Sequence, residues 1–101
     1  MQEIGRLLFT RKDGESFVVG NDTTITLHRK APARANVVIK RGDEVRTHHV
    51  GDREPIEINE HASMEVSFDY GKGRTSGMRV LVIAPKSVKV LRSELIGRGP
   101  R

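Results

Sequence analysis

Apolar and polar residues alternate along most of this chain, with the period of two that is typical of half-buried β-strands. The alternation is clearest over residues 64–70, where every second residue is apolar: Met64, Val66, Phe68 and Tyr70. Glycine, asparagine and aspartate interrupt the pattern at short intervals, as at Asp13-Gly14, and favour tight turns. The pattern predicts an all-β protein of about eight short strands. Strand signals cover residues 7–10, 16–19, 23–28, 36–40, 45–50, 55–59, 64–70, 78–83 and 88–90.

The C-terminal part of the chain departs from simple alternation in two places. Residues 78–83 are apolar almost throughout, which predicts a strand that is covered on both faces. Ala84-Pro85 is expected to end this strand. Residues 93–96 predict a very short C-terminal helix, because Ser93 is a good N-cap and the glycines that follow stop the helix after about one turn.

Length and composition limit the core and the class of protein. The chain has 101 residues, of which 36% are apolar and only 4% aromatic. A chain of this size buries less than ~70% of its unfolded surface, so we expect further burial in an oligomer. Cysteine is missing, which excludes disulfide scaffolds, thiol catalysis and cysteine-based zinc sites. No apolar run approaches the ~20 residues of a membrane helix, and the N-terminus lacks the apolar core of a signal peptide, so a cytoplasmic protein is expected.

Charge is distributed unevenly along the chain. The net charge is +5 and the isoelectric point is about 10.1, which favours an anionic partner, with nucleic acid as the first candidate. Residues 30–76 contain eight basic and eight acidic residues, whereas residues 1–29 and 77–101 contain ten basic and five acidic ones. An anion is therefore expected to bind to the two ends of the chain rather than to its middle.

The two ends carry motifs that occur in the same order in a known family. Residues 7–16 read LLFTRKDGES, residues 17–27 contain FVVG and TITL, and residues 78–95 read MRVLVIAPKSVKVLRSEL. Together they resemble the carbon storage regulator (CsrA/RsmA) family. Its members begin with an aliphatic strand, Thr-Arg-Arg and Gly-Glu-Thr/Ser, and end with Ala-Pro-Lys-x-Val-x-Val-x-Arg-x-Glu. The resemblance covers about 47 of the 101 residues.

The resemblance implies a fold, a ligand and a partner. Members of the family are interlocked homodimers of short strands, in which the first strand of one chain lies beside the last strand of the other. The implied ligand is a GGA motif in the loop of an mRNA hairpin, often overlapping a ribosome-binding site, and the usual outcome is translational repression. The implied RNA partners are mRNA leaders and antagonist small RNAs. The resemblance implies no enzyme activity, no cofactor, no metal, no small-molecule substrate and no membrane.

The same resemblance implies an RNA site with two walls. Strand backbones can match base edges through their N–H and C=O groups, while arginine and lysine hold phosphates. Arg92 is the strongest candidate, because it matches the family's arginine just after the last strand, which contacts bases and the sugar-phosphate. Phe9, Thr10, Arg11 and Lys12 of one chain form the first wall, and Ala84, Pro85, Val88, Val90, Leu91 and Arg92 of the other chain form the second. Positive field is added by Arg79, Lys86 and Lys89.

A long insertion is the main departure from the family pattern. Where family members have a tight hairpin, this chain has residues 30–76. We therefore interpret 1–29 and 77–101 as a CsrA-like RNA-binding core and 30–76 as an inserted β-rich extension. The strand signals within the insert predict that it is ordered, with Phe68 as its main apolar anchor. Three substitutions also depart from the pattern, at Lys12, Leu81 and Leu91.

Other functions have weaker support in the sequence. His48, His49 and His61 are candidate metal ligands by residue type. The adjacent His48 and His49 point to opposite faces of a strand, so they cannot bind one metal ion together without a bulge. The basic loop 71–77 lacks the spacing of a phosphate-binding loop but is a candidate for contacts with RNA flanks. No residue arrangement supports catalysis, and no recognition helix supports duplex DNA binding. The main alternative is a protein-interaction or assembly module that uses the CsrA-like core as a dimerisation scaffold.

Overall fold

The structure is a computed structural model that describes residues 4–68 and 77–92, with the backbone alone at Leu91 and Arg92. These residues contain β-strands and no helix, so the predicted all-β class is confirmed. Tyr70, most of the basic loop 71–77 and the predicted helix at 93–96 lie outside the described residues. The strands are β1 (Ile4–Arg11), β2 (Ser16–Val19), β3 (Thr23–Ala31), β4 (Arg34–Arg41), β5 (Glu44–Val50), β6 (Ile56–Glu57), β7 (Ser63–Phe68), β8 (Met78–Pro85) and β9 (Val90–Arg92).

The strands form two antiparallel sheets. One sheet has four strands in the order β1-β8-β7-β6, and the other has the order β5-β4-β3-β2 with the short β9 paired to β2 as a fifth strand. Each sheet therefore combines the two ends of the chain with strands of the insert. β8 lies between β1 and β7, and β3 lies between β2 and β4. The inserted strands thus extend both sheets and do not form a sheet of their own.

Both sheets pack on one hydrophobic core. Among the described residues, 17 apolar side chains are buried. Ile25 and Leu27 of β3 face this core and the residues between them face away, as the alternation predicts. In β7, Met64, Val66 and Phe68 are buried in the same way. Since burial of a large apolar side chain stabilises a fold by about 1.5–3 kcal/mol, the insert contributes a substantial part of the core energy.

Two glycine turns position the strands at the N-terminal end. Gly14 has a φ of 86°, and its N–H donates to the carbonyl of Leu27 at 2.7 Å, so the predicted Asp13-Gly14 turn is present. Gly20 has a φ of 71° at the turn between β2 and β3. Residues with a side chain rarely adopt this conformation, which explains glycine at both turns.

The observed β8 differs from its prediction in length and burial. The strand continues through Ala84 to Pro85, which pairs with Ile4. A proline is tolerated there because the last position of a strand does not need to donate a hydrogen bond to a neighbour. The prediction that both faces are covered is wrong for the single chain. Leu81 and Ile83 on the outer face are only half-buried, since no other layer of residues 4–68 and 77–92 lies over them.

Two further strands differ from their predictions: β6 is shorter, and β9 begins two residues later. β6 contains only Ile56–Glu57, because the chain turns immediately afterwards and the N–H of Ile58 donates to the carbonyl of Ala62 at 2.8 Å. β9 begins at Val90, because the N–H of Val88 donates to the carbonyl of Pro85 at 2.9 Å and closes a turn before it. In both cases a local backbone hydrogen bond takes the place of ladder pairing.

The chain passes from the five-stranded to the four-stranded sheet through residues 51–55. Arg53 has a φ of 61° in this turn, and its N–H donates to the carbonyl of Val66 at 2.7 Å. The carboxylate of Asp52 accepts a hydrogen bond from the N–H of Phe68 at 2.9 Å. The turn is therefore attached to β7 at two points. The described residues include no helix with the length and apolar character of a membrane span.

Candidate nucleic-acid interface

A cleft opens at one end of the molecule, where β1, β8 and β9 come together. Its volume is about 200 Å³. One side is formed by the first half of β1, and the other side by the end of β8, the connection after it and the first residue of β9. The lining residues are Gly5, Arg6, Leu7, Val82, Ala84, Pro85, Lys86, Val88 and Val90.

The cleft follows from strand pairing on both sides of a short connection. β1 and β8 are antiparallel, so Gly5 lies opposite Ala84 and Leu7 opposite Val82. The chain then crosses from the four-stranded to the five-stranded sheet within residues 86–89. This crossing is held by the N–H of Gly20, which donates to the carbonyl of Lys89 at 2.7 Å. The cleft is therefore bounded by backbone that is fixed on both sides.

Gly5 makes room for the stem of Lys86 within the cleft. A Cβ atom added at Gly5 would lie only 3.0 Å from Cγ of Lys86 and 3.6 Å from the carbonyl oxygen of Ala84. A side chain at Gly5 therefore forces the Lys86 stem to move by a few tenths of an ångström. The glycine matters here for close approach and not for an unusual backbone conformation.

The chemistry of the cleft combines apolar walls with a cationic rim. Leu7 is 44% exposed although its neighbours on β8 are buried, so its apolar surface is open to a ligand. Lys86 is exposed at the rim, and the exposed Lys89 follows it in the connection. Arg6 pairs with Ile83, so its exposed side chain lies on the outer face of the sheet and only its backbone borders the cleft. The lining described here includes no carboxylate. Apolar walls beside ammonium groups suit a flat, uncharged ring attached to an anionic backbone, as in a nucleotide.

The structure does not bring the two predicted walls together within one chain. Ala84, Pro85, Lys86, Val88 and Val90 line the cleft. The other predicted wall lies at the far end of β1, where Thr10 pairs with Arg79. Residues five positions apart on a strand are separated by about 17 Å. The cleft is completed instead by residues 5–7, which are not part of the RNA site predicted from the sequence.

At the far end of β1, the side chain of Arg11 is buried and contacts the protein's own backbone. Its side chain is only 4% exposed, and its guanidinium donates to the carbonyls of Thr10 at 2.9 Å and Ser16 at 3.2 Å. The carboxylate of Glu15 lies 3.8 Å away. Phe9 is half-buried and packs edge-to-face on Phe17, with ring centroids 4.9 Å apart. Both side chains therefore support the fold from within.

The remaining candidates are distributed around the cleft and the far end. Thr10, Lys12 and Arg79 are exposed at the far end of the β1–β8 pair. The backbones of Leu91 and Arg92 pair with Val18 and Phe17, and their side chains lie outside the described part of the structure. β9 thus runs from the cleft towards the far end. The contact of the Arg92 side chain with RNA stays a prediction.

The residues missed by sequence reasoning are Gly5, Arg6, Leu7 and Val82. The motif directed attention to Thr10, Arg11 and Lys12, which match the family pattern. These residues reach the cleft because β1 and β8 are antiparallel, which places the start of β1 beside the end of β8. That pairing between segments far apart in the sequence cannot be recovered from periodicity alone.

A second cavity of about 320 Å³ lies between the inserted strands, and the lining residues Arg41, Arg46 and Glu60 contact other groups of the protein. The guanidinium of Arg41 contacts Glu60 at 3.0 Å and Asp22 at 3.2 Å. A hydrogen bond from its own backbone and the Arg41 contact lower the pKa of Glu60, and the Glu60 contact raises the pKa of Arg41. The guanidinium of Arg46 donates to the carbonyl of Ile58 at 2.8 Å. These contacts tie the two sheets together.

The histidines of the insert do not converge on a metal site in the part of the chain that the structure describes. His48 lies opposite the buried Val37, and His49 lies opposite Asn36 on the other face. The ring of His49 hydrogen-bonds the side chain of Asn36 at 2.6 Å. Among the described residues no group of three or more potential metal ligands comes together.

No protein-family model matches this chain, and neither a curated protein nor a solved structure is significantly similar to it. The resemblance to the carbon storage regulators therefore rests on the motifs at the two ends of the sequence. Any function has to be argued from those motifs together with the geometry of the cleft.

Proposed function

We propose that this chain is a sequence-specific RNA-binding protein that recognises GGA motifs in mRNA hairpin loops. By binding near ribosome-binding sites in the cytoplasm, it represses translation. The proposal rests on the motifs at the two ends, which resemble the carbon storage regulators, and on the excess of positive charge in those same segments. It involves no catalysis and no cofactor.

The observation that carries the proposal is the composition of the cleft between β1 and the end of β8. Four residues of the predicted second wall, Ala84, Pro85, Val88 and Val90, line it together with Lys86 and the start of β1. Lys86 holds a phosphate, while Leu7 and the valines offer apolar surface to a base. Charge-assisted contacts of this type contribute about 1.5–3 kcal/mol each.

The size of the cleft limits what enters it. Pockets for drug-sized ligands have volumes of about 300–1,000 Å³, and this cleft has about 200 Å³. It therefore suits a single splayed base, with the rest of the loop lying across the surface. β1 is the edge strand of its sheet. The outer edge of its backbone has no neighbouring strand in the described part of the chain and can present N–H and C=O groups to base edges.

A mobility-shift titration tests this function directly. The intact protein is titrated against a hairpin RNA with GGA in its loop and against the same hairpin with CCU in place of GGA. We expect tighter binding to the GGA hairpin and a decrease in affinity with salt, with a slope of about −0.7 per phosphate contact. Equal affinity for both loops contradicts sequence-specific recognition, and the absence of any salt-dependent binding contradicts RNA binding as a whole.

The alternative function is a dimeric assembly module, and one observation favours it. The outer face of the four-stranded sheet carries Leu8, 62% exposed, and Ile4, 60% exposed, beside the half-buried Leu81 and Ile83. Burial of this apolar face against a second copy of the chain gives a homodimer. Light scattering at micromolar concentration tests this prediction, and a mass near 11.3 kDa contradicts it. A dimer that does not bind GGA hairpins supports the assembly module over the regulator.

A further inference from the structure

We infer that the outer face of the four-stranded sheet is a self-complementary surface, which associates with the same face of a second molecule. Its defining contact is an ion pair between Arg6 of one molecule and Glu65 of the other, formed twice. This association rests on the assembly function given above as the alternative and does not require RNA binding. It also does not depend on which copy of the chain supplies β1, because the face has the same residues in either case.

Three strands supply the side chains of this outer face. Because alternate residues of a strand point to opposite faces, the burial of Met64, Val66 and Val80 places their neighbours on the outside. The pairing of β1 with β8 and of β8 with β7 arranges the outer residues in rows across the sheet. From the cleft to the far end, the rows are Arg6-Ile83-Ser63, Leu8-Leu81-Glu65 and Thr10-Arg79-Ser67.

The centre of this face is apolar and has no cover among the described residues. Leu8 is 62% exposed, and Leu81 and Ile83 beside it are only half-buried. They form one patch, since neighbouring strands lie about 5 Å apart and successive outer residues of a strand about 7 Å apart. Contiguous apolar patches on a folded chain mark association surfaces. Ser63 and Ser67 border the patch, as polar residues do at the rim of a protein interface.

Two opposite charges flank the apolar patch on a diagonal. Arg6 lies on β1 beside Ile83, and Glu65 lies on β7 beside Leu81, so that β8 separates the two charges. Two strand spacings and one step along a strand put their Cα atoms about 12 Å apart, too far for an ion pair within the face. The ion pairs of the described residues involve neither side chain. Each charge is therefore available to a second molecule.

The diagonal makes the face complementary to itself. The midpoint between Arg6 and Glu65 lies between Leu81 and Ile83, at the centre of the apolar patch. A two-fold axis through this point, in the plane of the interface and perpendicular to the diagonal, exchanges the two charged positions. Arg6 of each molecule then faces Glu65 of the other, while the apolar side chains pack around the axis. Two copies of one surface that match in this way form an isologous interface.

The apolar side chains supply most of the affinity, and the charges fix the orientation of the two molecules. Exposed ion pairs contribute little to stability, whereas like charges placed opposite each other across an interface oppose association strongly. Arg79 lies one row beyond Glu65, beside Thr10, and stays at the rim. Leu7 and Val82 of the cleft point to the other side of the sheet. Association through the outer face therefore leaves the cleft open to RNA.

Charge reversal tests the surface directly. The Arg6→Glu and Glu65→Arg variants are prepared separately, and their masses are measured by analytical ultracentrifugation over a range of micromolar concentrations. Each reversal creates two like-charged contacts in the symmetric interface, so we expect association to weaken about tenfold or more and the mass of the parent assembly to fall to half. Arg34→Glu reverses an exposed cation of the insert and is the matched control, which should keep the parental mass.

A mixture of the two reversed variants is expected to restore the interface. In a complex of Arg6→Glu with Glu65→Arg, both diagonal contacts join opposite charges, so the mixture should regain the parental mass. The Arg6→Glu/Glu65→Arg double variant should associate with itself for the same reason. The folded proteins are mixed without unfolding, which prevents exchange of strands, and circular dichroism verifies that each variant is folded. Glu65→Lys replaces Glu65→Arg if the latter does not fold.

Three results overturn the inference: a parent that stays at 11.3 kDa, single variants that keep the parental mass, or a mixture of folded variants that does not associate. An oligomer that survives both reversals keeps the assembly function and places its interface elsewhere. The GGA-hairpin titration is decided separately. A parent that associates through this face without binding RNA contradicts the proposed function alone, and one that binds RNA with unchanged masses contradicts this surface alone.

Discussion

The two ends of β1 carry the same kind of residue in opposite environments. Arg6 is exposed on the outer face of the sheet, whereas Arg11, five residues further along the strand and on the opposite face, is buried with its guanidinium directed at backbone carbonyls. We call these regions the cleft end and the closed end of β1. The closed end is filled by Phe9, Phe17 and Phe68, and the cleft end is lined by smaller aliphatic side chains.

The comparison shows that a basic motif does not by itself define a binding surface. At the closed end, carbonyls of the protein already satisfy the donors of Arg11, so the charge stabilises the fold. At the cleft end, Arg6 lies opposite Ile83 on the outer face, and its charge faces solvent. The difference arises from the alternation of side chains along β1, which places positions 6 and 11 on opposite faces of the sheet.

The largest effect is expected at the closed end, from Phe68→Ala. The ring of Phe68 is buried, and the guanidinium of Arg29 lies over it at 5.5 Å from the centroid. Removal of a buried phenyl ring lowers the free energy of unfolding by about 3–5 kcal/mol. Urea denaturation followed by circular dichroism measures the loss, with the exposed Val45→Ala as control. A loss below about 1 kcal/mol contradicts the role of Phe68 as the anchor of the insert.

Arg11→Ala is expected to destabilise the fold by about 2–3 kcal/mol, because it leaves the carbonyls of Thr10 and Ser16 without their donor. Arg11→Lys restores little of this, since an ammonium cannot reach both acceptors in the geometry of the planar guanidinium. Denaturation of Arg6→Ala in parallel should show almost no change. If Arg11→Ala remains stable but no longer binds RNA, Arg11 is a ligand contact and the comparison is reversed.

Arg92→Ala is expected to weaken GGA-hairpin binding by about 1.5–3 kcal/mol while the fold stays intact, as for the loss of a charge-assisted hydrogen bond. This expectation follows from the family motif. The backbone of Arg92 lies opposite Phe17, so the variant also reports how far the RNA extends from the cleft towards the closed end. Binding titrations measure the change, and an affinity equal to the parent's shows that the RNA stays at the cleft end.

At the cleft end, Lys86→Ala is expected to weaken RNA binding by about 1–2 kcal/mol and to reduce the slope of log affinity against log salt by about 0.7. Gly5→Ala should have a smaller effect in the same direction, because its Cβ displaces the Lys86 stem. Arg34→Ala, which removes an exposed cation from the insert, is the control. An equal loss in all three variants indicates a diffuse electrostatic surface and not a defined cleft.

The smallest effect is expected far from the cleft, from Glu60→Gln. The pKa of the Glu60 carboxylate is lowered by a hydrogen bond from its own backbone and by Arg41. A lowered pKa in the folded state stabilises the protein above the ordinary value of 4.5, and this contribution disappears as the pH falls through the folded-state pKa. Parent and variant should therefore differ slightly in stability at pH 7 and converge in acid. Glu57→Gln controls for the loss of a charge in the same cavity, and a difference that persists at low pH excludes ionisation as its cause.

Local features of the fold were predictable from the sequence because they depend on neighbouring residues. The alternation in Met64, Val66 and Phe68 assigned the buried face of β7, and Asp13-Gly14 marked the first turn. The end of β8 was not predictable, because tolerance of Pro85 depends on its being the last paired position. The half-buried outer face of Leu81 and Ile83 was not predictable either, since coverage depends on which layer packs there.

The residues of the candidate site also fall into two groups, those that the sequence motif identified and those that only strand pairing revealed. The family-like motif identified Ala84, Pro85 and Lys86, and the structure places all three in the cleft. It did not identify Gly5 and Leu7 as cleft residues, because the periodicity of β1 does not show which strand lies beside it. Only the pairing of β1 with β8 places them beside the end of β8, and this pairing joins segments that are more than 60 residues apart.

The sequence by itself determined the all-β class, the positions of most strands and turns, and the concentration of positive charge at the two ends. These properties follow from side-chain periodicity and composition, which are encoded within a few neighbouring residues. The tertiary structure alone decided that the insert extends both sheets, that backbone carbonyls enclose the guanidinium of Arg11, and that the start of β1 lies beside the end of β8. These properties depend on register and packing between distant segments, where a shift of one residue reverses which side chains are buried.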